Sequence, residues 1–413
     1  MSDSGKDRFV TGNDSSLPTT VLAAVHYPVF GGPHNQVLQL AKPLAARGIH
    51  TLAVLPDEPG NAAARLRGAG IDVVTLPLHR LRSTRNPTVH AALVTALIPE
   101  VLALRRLIRR HGVDLVQVGG LVNPHAAIAA ALCRKPVVWQ VLDTRTPWPV
   151  TLGAMMAVRA LGAVVMSTGT KILGQMPLGP GSLPVVPFFP PVDPDRFRAS
   201  PKQRAALRIR WAIPADAPVV GCVANINPQK GILELIESFR LVRDRFTSAR
   251  LIIVGAEYDT HQEYSAAIRT RIAALGMREG VDVMILGERS DVDELLPCMD
   301  VVALAAARRS EGTPTALIEA MACGIPVVAT DVGGISDIVD DGRTGRLVPP
   351  DRPDVLGAAL IEILTNPDQA RAMGVAARQQ VLDTFSIDRC VEAHINAYSM
   401  ALATRPSRRA GAG

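Results

Sequence analysis

Short apolar segments alternate with longer amphipathic segments along most of this 413-residue chain. The short segments are apolar throughout, as in Val301–Leu304 and Val327–Ala329, which is typical of strands that are buried on both faces of a parallel sheet. Regular alternation of strands and helices predicts a parallel sheet with helices on both sides. The sequence therefore predicts an α/β fold built from doubly wound sheets.

A proline-rich segment, Leu183–Pro201, interrupts this alternation near the middle of the chain. Proline ends helices and lacks the amide that a central strand needs, so we predict that this segment connects two domains. Two domains of roughly 200 residues also suit the length of the chain. The predicted divisions are a flexible tail at 1–18, an N-terminal domain at 19–198, a C-terminal domain at 199–386, a last helix at 387–403 that packs back on the N-terminal domain, and a flexible tail at 404–413.

The composition limits what the chain binds and where it works. A net charge of +6 and a pI near 9.3 suit a phosphate-bearing ligand or an anionic membrane surface. Aromatic residues make up 4% of the chain, too few for single-stranded nucleic-acid stacking, so no nucleic-acid partner is predicted. Five scattered cysteines fit a reducing cytoplasm. The sequence shows neither a signal peptide nor an apolar run of about 18 residues, so we predict a cytoplasmic protein.

The segment from Glu311 to Asp331 has the features of an anion site. It follows a buried strand and opens a helix, and the first amides and the dipole of a helix favour a diphosphate. Glu319 lies eight residues after Glu311, about 12 Å if the segment is helical, which is the reach of a nucleotide sugar. The alternative is a helix-favouring Glu311 and a solvated Glu319. The residues predicted to hold the diphosphate are Gly312, Thr313, Pro314, Thr315 and Ala316.

The Glu-x7-Glu spacing, followed by Gly324-Ile-Pro326 and Asp341–Gly345, resembles glycosyltransferase family 4. Members of that family are retaining enzymes with the GT-B fold. The resemblance implies two facing Rossmann-like domains with the active site in the interdomain cleft. It also implies that Glu311 contacts the donor sugar and that Glu319 holds the ribose.

Further residues are assigned to the donor by their place after strands or by the resemblance. Lys230 is placed to neutralise the diphosphate. Asn225 stands where the family usually has an arginine, so one cation is missing. The Gly31-Gly32 turn follows the first strand and allows close approach of a phosphate to the backbone. Arg289 is also assigned to donor binding.

The acceptor side of the predicted cleft is less well defined. Asp143 is assigned a catalytic role, with a strand-end cap as the alternative, and Leu142 replaces the histidine that relatives often have before it. His26, His34 and His125 are candidates for the cleft, although each also fits an ordinary surface or core position.

Two features bear on metal and membrane binding. Asp291-Val-Asp293 resembles a metal-binding D-x-D motif, but we interpret it as a helix N-cap, where aspartate is favoured. Because no other cluster has metal-ligand spacing, we expect the reaction to require no metal or other cofactor. A helix carrying four arginines suggests weak contact with an anionic membrane, and a solvated helix face is the alternative. These arginines are Arg105, Arg106, Arg109 and Arg110.

The resemblance implies a retaining glycosyltransferase that moves a sugar from a nucleoside diphosphate sugar, expected to be a UDP-sugar, to a hydroxyl acceptor. The product would belong to a glycan, a glycolipid or a natural-product glycoside. Two alternatives share the expected fold: a non-hydrolysing nucleotide-sugar epimerase, and a catalytically silent partner that binds glycan or donor. The sequence leaves the acceptor and the oligomeric state open.

Overall fold

The computed structural model describes residues 19–79, 87–121, 124–142, 148–308 and 311–404. At residues 87–91 and 94 it describes the backbone and not the side chain. These residues form two parallel β-sheets, each covered by helices. The predicted tails therefore lie outside the described residues, apart from Thr404 at the end of the last helix. No helix in the described part of the chain is both long enough and apolar enough to cross a bilayer.

Within the described ranges, the first sheet has seven parallel strands in the order β3-β2-β1-β4-β5-β6-β7. The strands are β1 (Thr19–Ala24), β2 (Ile49–Pro56), β3 (Asp72–Leu76), β4 (Leu115–Gly119), β5 (Val137–Val141), β6 (Val164–Thr168) and β7 (Val185–Phe188). The helices that connect them are α1 (Gly32–Ala45), α2 (Ala62–Gly68), α3 (Pro87–Arg110), α4 (His125–Leu132) and α5 (Trp148–Leu161).

The second sheet has six parallel strands among the same described residues, in the order β10-β9-β8-β11-β12-β13. The strands are β8 (Val219–Val223), β9 (Arg250–Val254), β10 (Val283–Ile285), β11 (Val301–Leu304), β12 (Val327–Thr330) and β13 (Gly345–Val348). The helices of this half are α6 (Pro201–Arg210), α7 (Ile232–Arg245), α8 (Gln262–Ala274), α9 (Val292–Leu295), α10 (Thr315–Ala322), α11 (Pro353–Thr365) and α12 (Pro367–Thr384), and α13 (Ile387–Ala403) follows them. Short 3₁₀ turns occur at Leu173–Gln175, Pro228–Lys230, Asp259–His261, Leu296–Cys298 and Ile335–Asp337.

Both sheets have the strand order of a Rossmann fold, which confirms the predicted fold class. In each sheet the chain builds outward from a central strand and then crosses to the other side, so the order reverses between β1 and β4 and between β8 and β11. Ligands of such sheets bind beyond the carboxyl ends of the strands at this reversal. The loops that follow β8 and β11 are therefore expected to contact a ligand of the second sheet.

Strand β7 corrects the prediction that the whole segment Leu183–Pro201 is a connection. Pro187 lies inside this strand and is paired with Ser167 of β6. Strand β7 is at the edge of its sheet, and an edge strand tolerates proline because it does not need hydrogen bonds on both sides. The connection between the sheets therefore starts after Phe188.

The last helix, α13, returns to the first sheet and packs on it. Its residues Val391 and Ala397 are buried in one hydrophobic cluster with Val21 and Met166 of that sheet. His394 lies among them and accepts hydrogen bonds from side-chain amides through Nε2, while Nδ1–H donates to the carbonyl of Cys390 at 2.7 Å. Burial lowers the pKa of His394 to about 4, so the ring is neutral at physiological pH.

Candidate active site

The loop after β8 places Lys230 at the strand reversal of the second sheet. Gly231 has φ +62°, and a Cβ there would overlap the carbonyl oxygen of Ala305 just beyond β11. The amide of Ala307 also donates to the carbonyl of Gln229 at 2.9 Å. Because glycine permits this close approach, the 3₁₀ turn that carries Lys230 is fixed against the end of β11.

The side chains of Lys230 and Glu311 form an ion pair in this position. The distance between Nζ of Lys230 and Oε1 of Glu311 is 2.5 Å. The carboxylate is buried, with Glu311 3% exposed, whereas the Lys230 side chain keeps 19% of its surface accessible. A buried carboxylate requires such a partner, because an unpaired charge in the interior is costly. The structure thus joins two residues that the sequence assigned separately to the donor.

Glycines fix the Glu311–Thr313 loop between the two domains. A Cβ at Gly312 would overlap the carbonyl oxygen of Leu142, which directly follows β5 of the first sheet. Gly333, with φ +59°, packs on the carbonyl of Glu311 in the same way, and the amide of Gly334 donates to the carbonyl of Gly312 at 3.0 Å. The backbone beside Glu311 therefore touches the first domain on one side and the turn after β12 on the other.

Helix α10 begins at Thr315, with Pro314 extended at the N-cap position. The segment between the two glutamates is therefore helical only in its second half. The amides of Thr315 and Ala316, in the first turn of α10, have no intrahelical acceptor by the geometry of a helix start. Within the described part of the chain, the buried Oγ1 of Thr313 also has no hydrogen-bond partner. These donors lie beside the loop of Glu311.

Glu319 lies on the second turn of α10 in a different environment. Burial raises its pKa to about 7, and the charge of Arg196 opposes this increase. The guanidinium of Arg196 donates to Asp293 at 2.7 Å and to the carbonyl of Ser290 at 3.1 Å. Glu319 is thus not the freely solvated residue of the alternative interpretation, and it faces the interdomain connection that carries Arg196.

The Gly31-Gly32 turn caps α1, with Gly31 at the N-cap and Gly32 as the first helical residue. The amide of Gly31 donates to Nδ1 of His34, and Nε2–H of His34 donates to the carbonyl of Tyr27 at 2.8 Å. Burial lowers the pKa of His34, which favours the neutral imidazole that this pair of hydrogen bonds requires. A Cβ on either glycine would meet no atom within 4 Å in the described chain, so protein packing does not explain the glycines.

Asn225 and Arg289 have protein partners in this structure. Oδ1 of Asn225 accepts a hydrogen bond from the amide of Ala256 at 3.1 Å, which ties it to the loop after β9. The guanidinium of Arg289 binds both carboxylate oxygens of Asp291, with Nε at 2.8 Å from Oδ1, and this contact lowers the pKa of Asp291.

The D-x-D residues are therefore each neutralised by an arginine, Asp291 by Arg289 and Asp293 by Arg196. Asp291 occupies the predicted N-cap of α9, but in the described structure its side chain makes no capping hydrogen bond. Among the described residues, no group of three or more His, Cys, Asp or Glu side chains could hold a metal ion.

The acceptor side remains less complete, because Asp143 lies outside the described residues. The residue before it, Leu142, accepts a hydrogen bond from Oγ1 of Thr168 at 3.2 Å through its carbonyl. His125 is buried, with Nε2 at 3.4 Å from Oε2 of the buried Glu100. Sequence reasoning missed Glu100, because it lies within an amphipathic helix with no motif around it.

Two Rossmann-like domains, with a lysine, a glutamate and a helix N-terminus at the strand reversal of the second sheet, are the arrangement expected of a GT-B glycosyltransferase. Residues 203–380 match the family described as glycosyl transferases group 1, and residues 31–170 match the glycosyl transferase 4-like domain. The chain therefore belongs to the family-4-like glycosyltransferases, as the resemblance predicts.

Individual relatives agree with this family. A GDP-mannose-dependent alpha-(1-6)-phosphatidylinositol monomannoside mannosyltransferase of Mycolicibacterium smegmatis is 31% identical over 327 residues, 74% of this chain and 80% of the relative. A D-inositol 3-phosphate glycosyltransferase of Gordonia bronchialis is 28% identical over 95% of this chain and 89% of its own length. The crystal structure of Anabaena HepE with UDP and glucose has a TM-score of 0.77 at 21% identity, covering 92% of this chain and 99% of HepE.

Proposed function

We propose that this glycosyltransferase moves a sugar from a nucleoside diphosphate sugar to a hydroxyl group with retention of the anomeric configuration. The observation that carries the proposal is the Lys230–Glu311 pair beside the N-terminus of α10. A cation and free helix amides are the groups that stabilise a leaving diphosphate. Their place at the strand reversal of the second sheet is where a nucleotide is expected in this fold.

The chemistry requires positioning and charge more than a protein nucleophile. As the bond between the anomeric carbon and the phosphate oxygen breaks, the acceptor oxygen bonds to the same face of the sugar. A phosphate oxygen of the leaving group takes the proton of the acceptor hydroxyl. The ammonium group of Lys230 would pair with the diphosphate and share less of its hydrogen bonding with Glu311, which leaves the carboxylate of Glu311 available to the sugar hydroxyls. No step calls on a metal, and we propose metal-independent transfer.

Two indications differ on the donor base. The family resemblance favours a UDP-sugar, whereas the relative of M. smegmatis is named for its dependence on GDP-mannose. We therefore propose GDP-mannose and UDP-glucose as the first donors to compare. At one equal concentration of each, the donor that binds more tightly raises the melting temperature more, and a donor at 100 times its dissociation constant stabilises the folded protein by about 2.7 kcal/mol.

The acceptor is proposed from the relatives, whose names share an inositol unit. The test is incubation of each donor with inositol, inositol phosphate or a phosphatidylinositol mannoside, followed by mass spectrometry of the products. A new glycoside supports transfer. An isomerised donor instead supports the epimerase, and donor binding without any turnover supports the silent binding partner.

Helix α3 carries the proposed contact with a membrane. Arg106, Arg109 and Arg110 are exposed on it, as is Ile98, which keeps 71% of its surface accessible. Exposed basic and apolar side chains on one helix suit weak binding to the headgroups of anionic lipids. We propose that the enzyme works in the cytoplasm, with this helix touching the inner face of the membrane.

A further inference from the structure

A carboxylate of the second domain binds a loop of the first domain outside the donor site. Asp337 lies in the 3₁₀ turn Ile335–Asp337, and the loop after β6 begins at Gly169. Asp337 accepts hydrogen bonds from the amide of Thr170 at 2.9 Å, the hydroxyl of Thr170 at 2.6 Å and the amide of Lys171 at 3.0 Å. Hydrogen bonds to an ionised acceptor are about twice as strong as those between neutral groups.

Neighbouring contacts fix the geometry of this junction. Nζ of Lys171 donates to the carbonyl of Ser336 at 3.3 Å, and the side-chain amide Nε2 of Gln175 donates to the carbonyl of Gly333 at 3.1 Å. Gly169 has φ +76°, and a Cβ there would overlap the carboxylate of Asp337. The loop of the first domain is therefore shaped to receive this one side chain.

The turn that carries Asp337 also supports the Glu311–Thr313 loop, which is called the donor loop below. Gly333 and Gly334 precede Asp337 by four and three residues, and they pack on the backbone of Glu311 and Gly312. Gly312 in turn lies against the carbonyl of Leu142 in the first domain. A continuous path of packed backbone therefore joins Asp337 to the loop that carries Glu311.

We propose that Asp337 is a positioning residue that couples closure of the two domains to the geometry of the donor loop. While Asp337 holds the Thr170–Lys171 amides, the Gly333-Gly334 turn keeps Glu311 and Gly312 against the first domain. Release of the carboxylate lets the domains part and frees that loop. The inference rests on the proposed donor site at Glu311.

The kinetic test compares Asp337→Asn and Asp337→Glu with a matched control, Asp354→Asn. Asp354 pairs with Arg352 on the surface of the second domain, so its substitution removes a paired aspartate that makes no contact with the first domain's Thr170–Lys171 loop. Asp337→Asn should lower kcat for transfer about 10- to 150-fold, the factor that corresponds to the about 1.5–3 kcal/mol of a charge-assisted hydrogen bond. Affinity for the free nucleoside diphosphate should stay within about twofold, because α10 and Lys230 lie wholly in the second domain. Asp337→Glu should recover part of kcat, and the control should match wild type.

Hydrogen exchange tests the contact independently of catalysis. The amides of Thr170 and Lys171 should exchange at least about tenfold faster in Asp337→Asn than in wild type and in Asp354→Asn. Unchanged exchange overturns the inference, as does faster exchange with unchanged kcat. Absence of transfer by the wild-type protein with any donor would refute the proposed function, and the exchange rates would still decide whether Asp337 holds the domains together.

Discussion

Replacing Lys230 with alanine removes the cation from the proposed diphosphate site and leaves the buried carboxylate of Glu311 without its partner. The substitution therefore has a catalytic and a structural effect. Loss of one charge-stabilising group at a reacting centre costs about 3–4 kcal/mol of barrier, or about a 100- to 1,000-fold decrease in kcat. Removal of one member of a buried ion pair costs about 3 kcal/mol of folding stability. For a domain of this size that corresponds to a melting temperature roughly 6–12 °C lower.

A double substitution separates the two effects. Lys230→Ala with Glu311→Gln removes both charges of this pair, so the melting temperature should return most of the way to wild type. Turnover should stay low, because the cation is still missing and because Glu311, assigned to the donor sugar, is changed as well. Lys202→Ala is the matched control, since Lys202 is an exposed lysine of α6.

The assay is release of nucleoside diphosphate at saturating donor and acceptor, beside thermal unfolding of each variant. Near-normal kcat of Lys230→Ala at saturating donor would refute the assignment of Lys230. Recovery of kcat in the double variant would show that the single substitution acts only through misfolding of the site.

Three further predictions follow from the site and from α3. Because burial raises the pKa of Glu319 to about 7, its ionisation opposes folding as the pH rises from about 4.5 to above 7. Glu319→Gln should therefore raise the melting temperature at pH 8 more than at pH 5. It should also weaken binding of the nucleoside diphosphate, whereas Glu311→Gln should leave that binding nearly intact. Equal losses of affinity in calorimetric titrations of the two variants would contradict the donor orientation. Transfer should persist in excess EDTA, and a loss that magnesium or manganese restores would show that the aspartates of the D-x-D sequence bind metal. Reversing the charges of Arg109 and Arg110 should abolish salt-sensitive sedimentation with anionic vesicles, and unchanged sedimentation would mean that this face of α3 is merely solvated.

The sequence predicted the strands best where they are central and uniformly apolar. Strand β11 has the predicted ends, Val301 and Leu304, and β12 extends one residue beyond the predicted Val327–Ala329, because both are short segments buried on both faces. Strand β7 was missed because Pro187 excludes a central strand but not an edge strand. Position within the sheet decides such a case, and position is a property of the tertiary fold.

The residues of the candidate site could be named from the sequence, but their contacts with one another could not. Lys230 and Glu311 could each be named, because each follows a strand and lies near the start of a helix. Their ion pair depends on β8 and β11 being neighbours, which only the strand order establishes. Asp337 had no recognisable signal, because its partners are backbone amides and a hydroxyl of the other domain.

The most direct test of the central claim follows the reaction itself by proton NMR. The purified protein is mixed with an α-linked nucleoside diphosphate sugar and the acceptor that the screen identifies. The anomeric signal of the first product is recorded early in the reaction. Retaining transfer predicts an α-linked glycoside that appears in equal amount with the nucleoside diphosphate, and it predicts that this signal grows about 100- to 1,000-fold more slowly when Lys230 is replaced by alanine. A β-linked first product, or a donor whose sugar is isomerised without transfer, would contradict the proposed reaction.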